Sequence, residues 1–498
     1  MKGIIAVFFV IFYFGDELIA QAFQKPMNII YILSDDHRYD FMGFMNKVPG
    51  LKTPGMDKMA SEGMHMKNAF VTTALCSPSR ASVLTGQYAH THTVVDNDAP
   101  LPDNLIFFPQ YLQKQGYKTG FMGKWHMGNT GDQPQPGFDK WISFQGQGKY
   151  TGNLLNIDGN KVQTSADDYI TDVLTDKAIE WMNGVKNQPF CLYLSHKGVH
   201  AEFEPAKRHK GMYKDLPIVC PPSMYLTATD SSKTFGVYNA PQSKVNYRDI
   251  PKWVRAQRYS WHGVDFMYHG QIPFDEFYHL YLETLQAVDE SVARVLDWVE
   301  KNGLKENTLV VYMGDNGFLF GEHGLIDKRN AYEESMRVPL LMWAPGMIKP
   351  NSVAQQMILG IDLAPTFLEM AGVKTKPAQM QGTSMLPLLK GEKPTWRDKV
   401  FYEYYWEAAF PQTPTIFAVR GDRYKYIFNY GTWDINELYD LKEDPNEMNN
   451  LIRDPALVKV GLELRELLFK WLDETDGLQI PLKQQRGRRN DNLYKGTY

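Results

Sequence analysis

The chain reads as an α/β protein: a large, mostly parallel or mixed sheet flanked by helices, then a smaller antiparallel sheet with one covering helix. Three observations predict this. Continuous apolar runs rich in β-branched residues stop abruptly at polar residues, helical periods lie between those runs, and short aromatic strands follow residue 391.

In chain order, Met1-Lys2-Gly3, an apolar run over 4–14, polar Asp16-Glu17 and Ala20-Gln21-Ala22 read as a secretory signal peptide over 1–22. The run is too short to span a membrane, and no later segment is long and apolar enough, so no membrane span is expected. Export to the periplasm or the extracellular space is. A first buried strand is predicted over 27–33, ending at Ser34-Asp35-Asp36. Similar runs at 190–194 and 308–313 end at Ser195-His196 and Gly314-Asp315-Asn316. Val288, Val292, Val295 and Val299 mark one face of a helix. In open α/β sheets ligands bind beyond the carboxyl ends of the strands, so these polar stops should meet at one site.

A large domain over 23–390 and a smaller α+β subdomain over 391–498 follow from the change of pattern. The second contains strands at 400–405, 415–420 and 424–428, a turn at Gly421-Asp422 and a helix over about 455–474. Residues 213–268, rich in Pro, Tyr and polar side chains, form a long irregular insertion that either shapes a cleft or is a solvated loop. Its aromatics, like those at 402–406, either stack on sugar rings or pack in a core.

A net charge of -4 argues against binding a polyanion through overall charge, and no nucleic-acid partner is expected. Recognition of an anionic substrate must be local. Three cysteines, Cys76, Cys191 and Cys220, allow at most one disulfide, so the fold does not depend on them.

Asp35-Asp36 and Asp315-Asn316 could each be a cap or a turn. Together they supply hard oxygen ligands suited to calcium or magnesium, and calcium better fits an all-protein oxygen cage. Lys124 and His126, after Gly123, offer an anion partner and a proton shuttle. His196 and His200 are a second pair. Lys328, by composition, is a solvated loop lysine. Cys76, in Cys76-Ser77-Pro78-Ser79-Arg80, could be a small buried residue opening a helix that Ser79 caps.

Five blocks resemble, in order, those of the type I formylglycine-dependent sulfatases of the alkaline phosphatase superfamily: Asp35-Asp36; Cys76 to Arg80; Gly123-Lys124-Trp125-His126; the segment from His196 to His200; and Gly314-Asp315-Asn316-Gly317 followed by Lys328-Arg329-Asn330 and Arg337-Val338-Pro339. The resemblance covers nearly the whole mature chain and implies an alkaline phosphatase-like fold. It implies that a formylglycine-generating or anaerobic sulfatase-maturing enzyme oxidises Cys76 to formylglycine, whose hydrate attacks sulfur. Asp35, Asp36, Asp315, Asn316 and the modified Cys76 would hold Ca2+, and Arg80 would steady the hydrate. Lys124 and His126 would flank it, His126 taking a proton to release sulfate, while His200 and Lys328 would meet sulfate and the leaving oxygen. His196 receives no firm role, and His323 falls near the metal loop.

The implied activity is hydrolysis of sulfate esters on a polysaccharide or its oligosaccharides, with algal glycans such as ulvan or carrageenan as the first expectation. Alternatives are an N-acetylglucosamine-6-sulfatase-like enzyme on glycosaminoglycan or mucin, a phosphonate monoester or phosphodiester hydrolase, and a polysaccharide-binding homologue without activity.

Overall fold

The computed structural model describes residues 27–128, 131–227, 249–260, 262–265, 272–431 and 433–481. The expected signal peptide lies outside them, as do 228–248, 261 and 266–268 of the insertion. The insertion's described parts hold a 3-10 turn, Pro222–Tyr225, and a short helix, Lys252–Gln257.

The strands are β1 (Asn28–Ser34), β2 (Met64–Phe70), β3 (Lys118–Lys124), β4 (Lys140–Phe144), β5 (Leu154–Ile157), β6 (Asn160–Gln163), β7 (Phe190–Ser195) and β8 (Thr308–Gly314). Next come β9 (Leu319–Phe320), β10 (Ile326–Asp327), β11 (Leu340–Trp343) and β12 (Ser352–Leu359). Ten of them form one sheet in the order β12-β2-β11-β8-β1-β7-β3-β4-β5-β6, and β9 pairs with β10. The central strands β8, β1, β7, β3 and β4 are parallel, while β11 and the β4-β5-β6 edge bring in antiparallel pairings. The sheet is therefore mixed around a parallel centre.

Alternation along β1 shows why its run is apolar throughout. Ile29, Tyr31 and Leu33 enter the core on one face, and Ile30 and Ile32 enter the core on the other. Val288, Val292, Val295 and Val299 lie on the helix Phe274–Lys301 and are buried in that second core. Burying each such side chain contributes about 1.5–3 kcal/mol.

Register brings the polar stops together. Leu33 pairs with Ser195, Ser34 with Gly314, and Gly123 with Ser195, so β1, β7, β8 and β3 end side by side. Gly123 permits the last of these: its φ is +124°, and a Cβ there would sit 1.7 Å from the Ser195 carbonyl oxygen.

The second sheet, β13 (Lys399–Tyr404), β14 (Thr415–Gly421), β15 (Tyr424–Tyr430) and β16 (Glu437–Asp440), is an antiparallel meander. The helix Val458–Glu474 covers it through Leu464, Leu468, Trp471 and Leu472, and Phe401 stacks on Trp471 at 4.7 Å. A 3-10 turn, Pro455–Leu457, precedes that helix, capped by Asp454 accepting from the Ala456 N–H. This sheet shares one core with a face of the large one. Among the described residues Cys76 and Cys191 are free cysteines, and no helix is long and apolar enough to cross a membrane.

Candidate active site

Cys76 opens the helix Cys76–Thr85, fully buried, beyond the carboxyl ends of β1, β3, β7 and β8. Ser79 does not cap that helix, contrary to one reading of the sequence. Leu75 occupies the N-cap position, and Ser79 lies within the first turn, where its N–H already donates to the Leu75 carbonyl. The Cys76 thiol instead faces Asp35 Oδ1 at 3.4 Å. Burial pushes its pKa well up, with Asp35 adding to the effect. The thiol stays protonated.

One turn on, the Arg80 guanidinium reaches four partners. Nε donates to Asp315 Oδ2 at 2.9 Å, Nη2 lies 3.2 Å from Asp35 Oδ2, and Nη1 donates to the Lys124 carbonyl at 2.7 Å and to Ser195 Oγ at 2.6 Å. This arginine fastens the helix to the ends of β1, β3, β7 and β8.

Asp35, Asp36 and Asp315 place carboxylate oxygens within 4.8 Å of one another, as do Asp35, Cys76 and His200 with their own ligand atoms. Asn316 Nδ2 donates to Asp36 Oδ1 at 2.7 Å, and the Asp36 N–H donates to Asp315 Oδ1 at 3.0 Å. Asp36 Oδ2 and Asn316 Oδ1 are buried acceptors that receive no hydrogen bond from the described residues. Burial raises Asp36 to about 7, with Asp35 and Asp315 adding to it against the pull of Lys328. Burial also acts to raise Asp35, but Lys124, His200 and Arg80 hold it well below the carboxylate range. Crowded carboxylates with orphaned oxygens fit a hard divalent cation.

Cations line the same space. Lys124 Nζ contacts Asp35 Oδ2 and donates to Gln147 Oε1 at 2.5 Å, while Lys328 Nζ donates to Asp36 Oδ1 at 2.5 Å. Lys328 is thus a buried site residue and no solvated loop lysine. His126, two residues after Lys124, lies in the left-handed region, its Nδ1 without a partner among the described residues and its carbonyl taken by the Ser77 hydroxyl. Burial and then Lys124 depress its pKa strongly, leaving a neutral imidazole. His200 Nε2 stands 3.9 Å from Asp36 Oδ2, and its Nδ1 lies against the Ala201 carbonyl. Burial, Lys124 and Lys328 lower its pKa well below the usual range.

The two uncertain histidines fall elsewhere. His196 Nε2 pairs with Ser291 Oγ at 2.9 Å in the helical layer, and burial lowers its pKa to about 3. His323 stacks on Tyr332 at 3.8 Å and lines a separate cavity of about 190 Å³ with Tyr439 and Glu447. Sequence reasoning missed Gln147 and the role of Ser195. Gln147 carries no local signal, since it arrives from the loop after β4.

A sulfatase family model matches residues 27–373, and a model of the N-sulphoglucosamine sulphohydrolase C-terminal region matches 321–474. The chain belongs to the sulfatase family. This sulfatase is 34% identical to an N-acetylglucosamine-6-O-sulfatase of Bacteroides thetaiotaomicron, over 89% of this chain and 86% of the relative. An ulvan-active sulfatase of Formosa agariphila is 26% identical over 90% of this chain and 81% of that protein. Among solved structures, one in complex with its substrate D-glucosamine-2-N,6-O-disulfate superposes with a TM-score of 0.78 at 31% identity, covering 92% of this chain and all of that one. The protein is a sulfuric ester hydrolase of the alkaline phosphatase superfamily.

Proposed function

We propose that this sulfatase removes 6-O-sulfate from N-acetylglucosamine-type units of a sulfated glycan, using formylglycine at position 76 and calcium. The observation that carries the reading is the 34% identity to an N-acetylglucosamine-6-O-sulfatase across most of both chains. It favours the hexosamine alternative over an algal glycan, for which the ulvan-active relative at 26% identity is weaker support.

Formylglycine, once hydrated, supplies a hydroxyl nucleophile and a second hydroxyl through which sulfate leaves, and calcium supplies positive charge against the sulfonyl oxygens. Asp35, Asp36, Asp315, Asn316 and the modified residue 76 would hold the ion. The strongly raised thiol pKa supports the reading that position 76 does not work as cysteine, because the thiol itself is a poor nucleophile. Arg80, held on four sides, orients residue 76. Lys124 and Lys328 bind sulfonyl oxygens. His126, neutral with a free Nδ1, is suited to take a proton from residue 76. His200 keeps Nδ1 on the Ala201 carbonyl and so presents Nε2 to the leaving oxygen. Asp35 and an incoming sulfate ester favour a proton on His200, against the burial and the lysines that lower its pKa.

The apolar run at 4–14 supports export, and conversion of Cys76 requires a maturing enzyme. The test is peptide mass spectrometry of position 76 in protein from a host that matures a control sulfatase. A panel of N-acetylglucosamine-6-sulfate, ulvan oligosaccharides, an aryl sulfate and a phosphodiester follows. Aldehyde at 76 with highest kcat/KM on the 6-sulfated hexosamine is expected; cysteine at 76 in active protein rejects the mechanism.

A further inference from the structure

Arg80, Lys124 and Lys328 each hold a carboxylate of the site, but a fourth cation beside them does not. Lys197 is 4% exposed, and among the described residues its ammonium has no carboxylate within ion-pair distance. It lies over the Tyr150 ring, 4.6 Å from the centroid. That ring is fixed in turn, because the Tyr150 hydroxyl donates to the His200 carbonyl at 2.6 Å.

The backbone around Lys197 is pinned to the site. Asp35 N–H donates to the Gly198 carbonyl at 2.9 Å, and Val199 N–H returns a bond to the Asp35 carbonyl at 2.7 Å. The groups that act on the Lys197 charge are site members: burial and then Lys124 lower its pKa to about 8, against Asp35, Asp36 and Cys76. Burying an ammonium without a counter-ion is costly, and an aromatic face offsets only part of that cost. Cations kept in this state beside a reaction centre are suited to meeting an anion that arrives with the substrate.

We propose that Lys197 is a further substrate-binding residue, its ammonium contacting a sulfonyl oxygen of the ester under attack. The inference rests on the sulfatase site described above and adds a residue to it. Tyr150 then acts as the platform that holds Lys197 in place while no anion is bound.

The test compares the matured full-length protein with Lys197→Met, which keeps the stem and removes the charge, and with Lys197→Arg. Inorganic sulfate is the probe, titrated by calorimetry and as a competitive inhibitor of aryl sulfate turnover. Losing one charged hydrogen bond should weaken sulfate binding and raise KM by roughly tenfold or more in Lys197→Met, with partial recovery in Lys197→Arg. Sulfate affinity and KM within twofold of wild type would overturn the proposal, and a lowered melting temperature alone would assign Lys197 to packing on Tyr150. The calorimetric arm needs no turnover. A wild type that binds sulfate but hydrolyses no ester refutes the functional reading separately, and a wild type that binds no sulfate refutes the Lys197 contact.

Discussion

Arg80 grips a single oxygen of Asp315: Nε and Nη2 lie 2.9 and 2.8 Å from Oδ2, which leaves Oδ1 to accept from the Asp36 N–H. The same guanidinium serves Asp35, Ser195 and the Lys124 carbonyl, a geometry that a lysine point charge cannot reproduce. Arg80→Lys should cost about 3 kcal/mol of stability in denaturant unfolding, since it leaves buried carboxylates underpaired. Its kcat should fall about 100-fold or more. Wild-type kcat in this variant would remove Arg80 from the orienting role.

Asp315→Asn tests the metal assignment. Replacing one of three clustered carboxylates should weaken calcium binding at least about tenfold and abolish turnover, as read by metal analysis after dialysis. Unchanged metal content would show that Asp315 serves Arg80 and not the ion.

His200→Ala separates proton transfer from binding. Sugar sulfates, with poor leaving groups, should slow by roughly 100- to 10,000-fold, while an activated aryl sulfate should be affected far less. Equal losses on both would take His200 out of the acid role.

Far from the reaction, His90 Nδ1 meets Glu403 Oε2 at 2.8 Å and joins the short helix Ala89–His92 to β13. Burial works to lower the His90 pKa, but the Glu403 carboxylate outweighs it, and the net shift is upward. A histidine pKa raised by folding adds stability that is fully present below the unfolded value near 6.5 and is lost as pH rises through the folded value. The stability gap between wild type and His90→Gln should therefore be widest below pH ~6.5 and narrow above the folded pKa. Equilibrium unfolding across this range checks it, and a gap that widens with pH would contradict it.

How far the site was legible depended on whether its signal was local. Asp35-Asp36 and Asp315-Asn316 stood out because a strand buried on both faces is apolar through its middle, so the change of character marks the sheet edge. β2 was hidden because it includes His65, Lys67 and Asn68 and has no clean period. The position of Ser79 within its helix could not be read, since the helix starts without a side-chain cap. Lys328 looked like a solvated loop lysine and Lys197 drew no notice, because their burial depends on partners distant in sequence, Asp36 for one and Tyr150 for the other.

The sheet order that gathers Asp35, Cys76, Lys124, His200, Asp315 and Lys328 also dictates when they can meet. β1 is flanked by β7 and β8, whose residues lie far along the chain, so loop-closure entropy must be overcome before the pocket exists. Recovery of activity after dilution from denaturant should lag behind recovery of helical signal, which makes turnover a stringent reporter of completed folding.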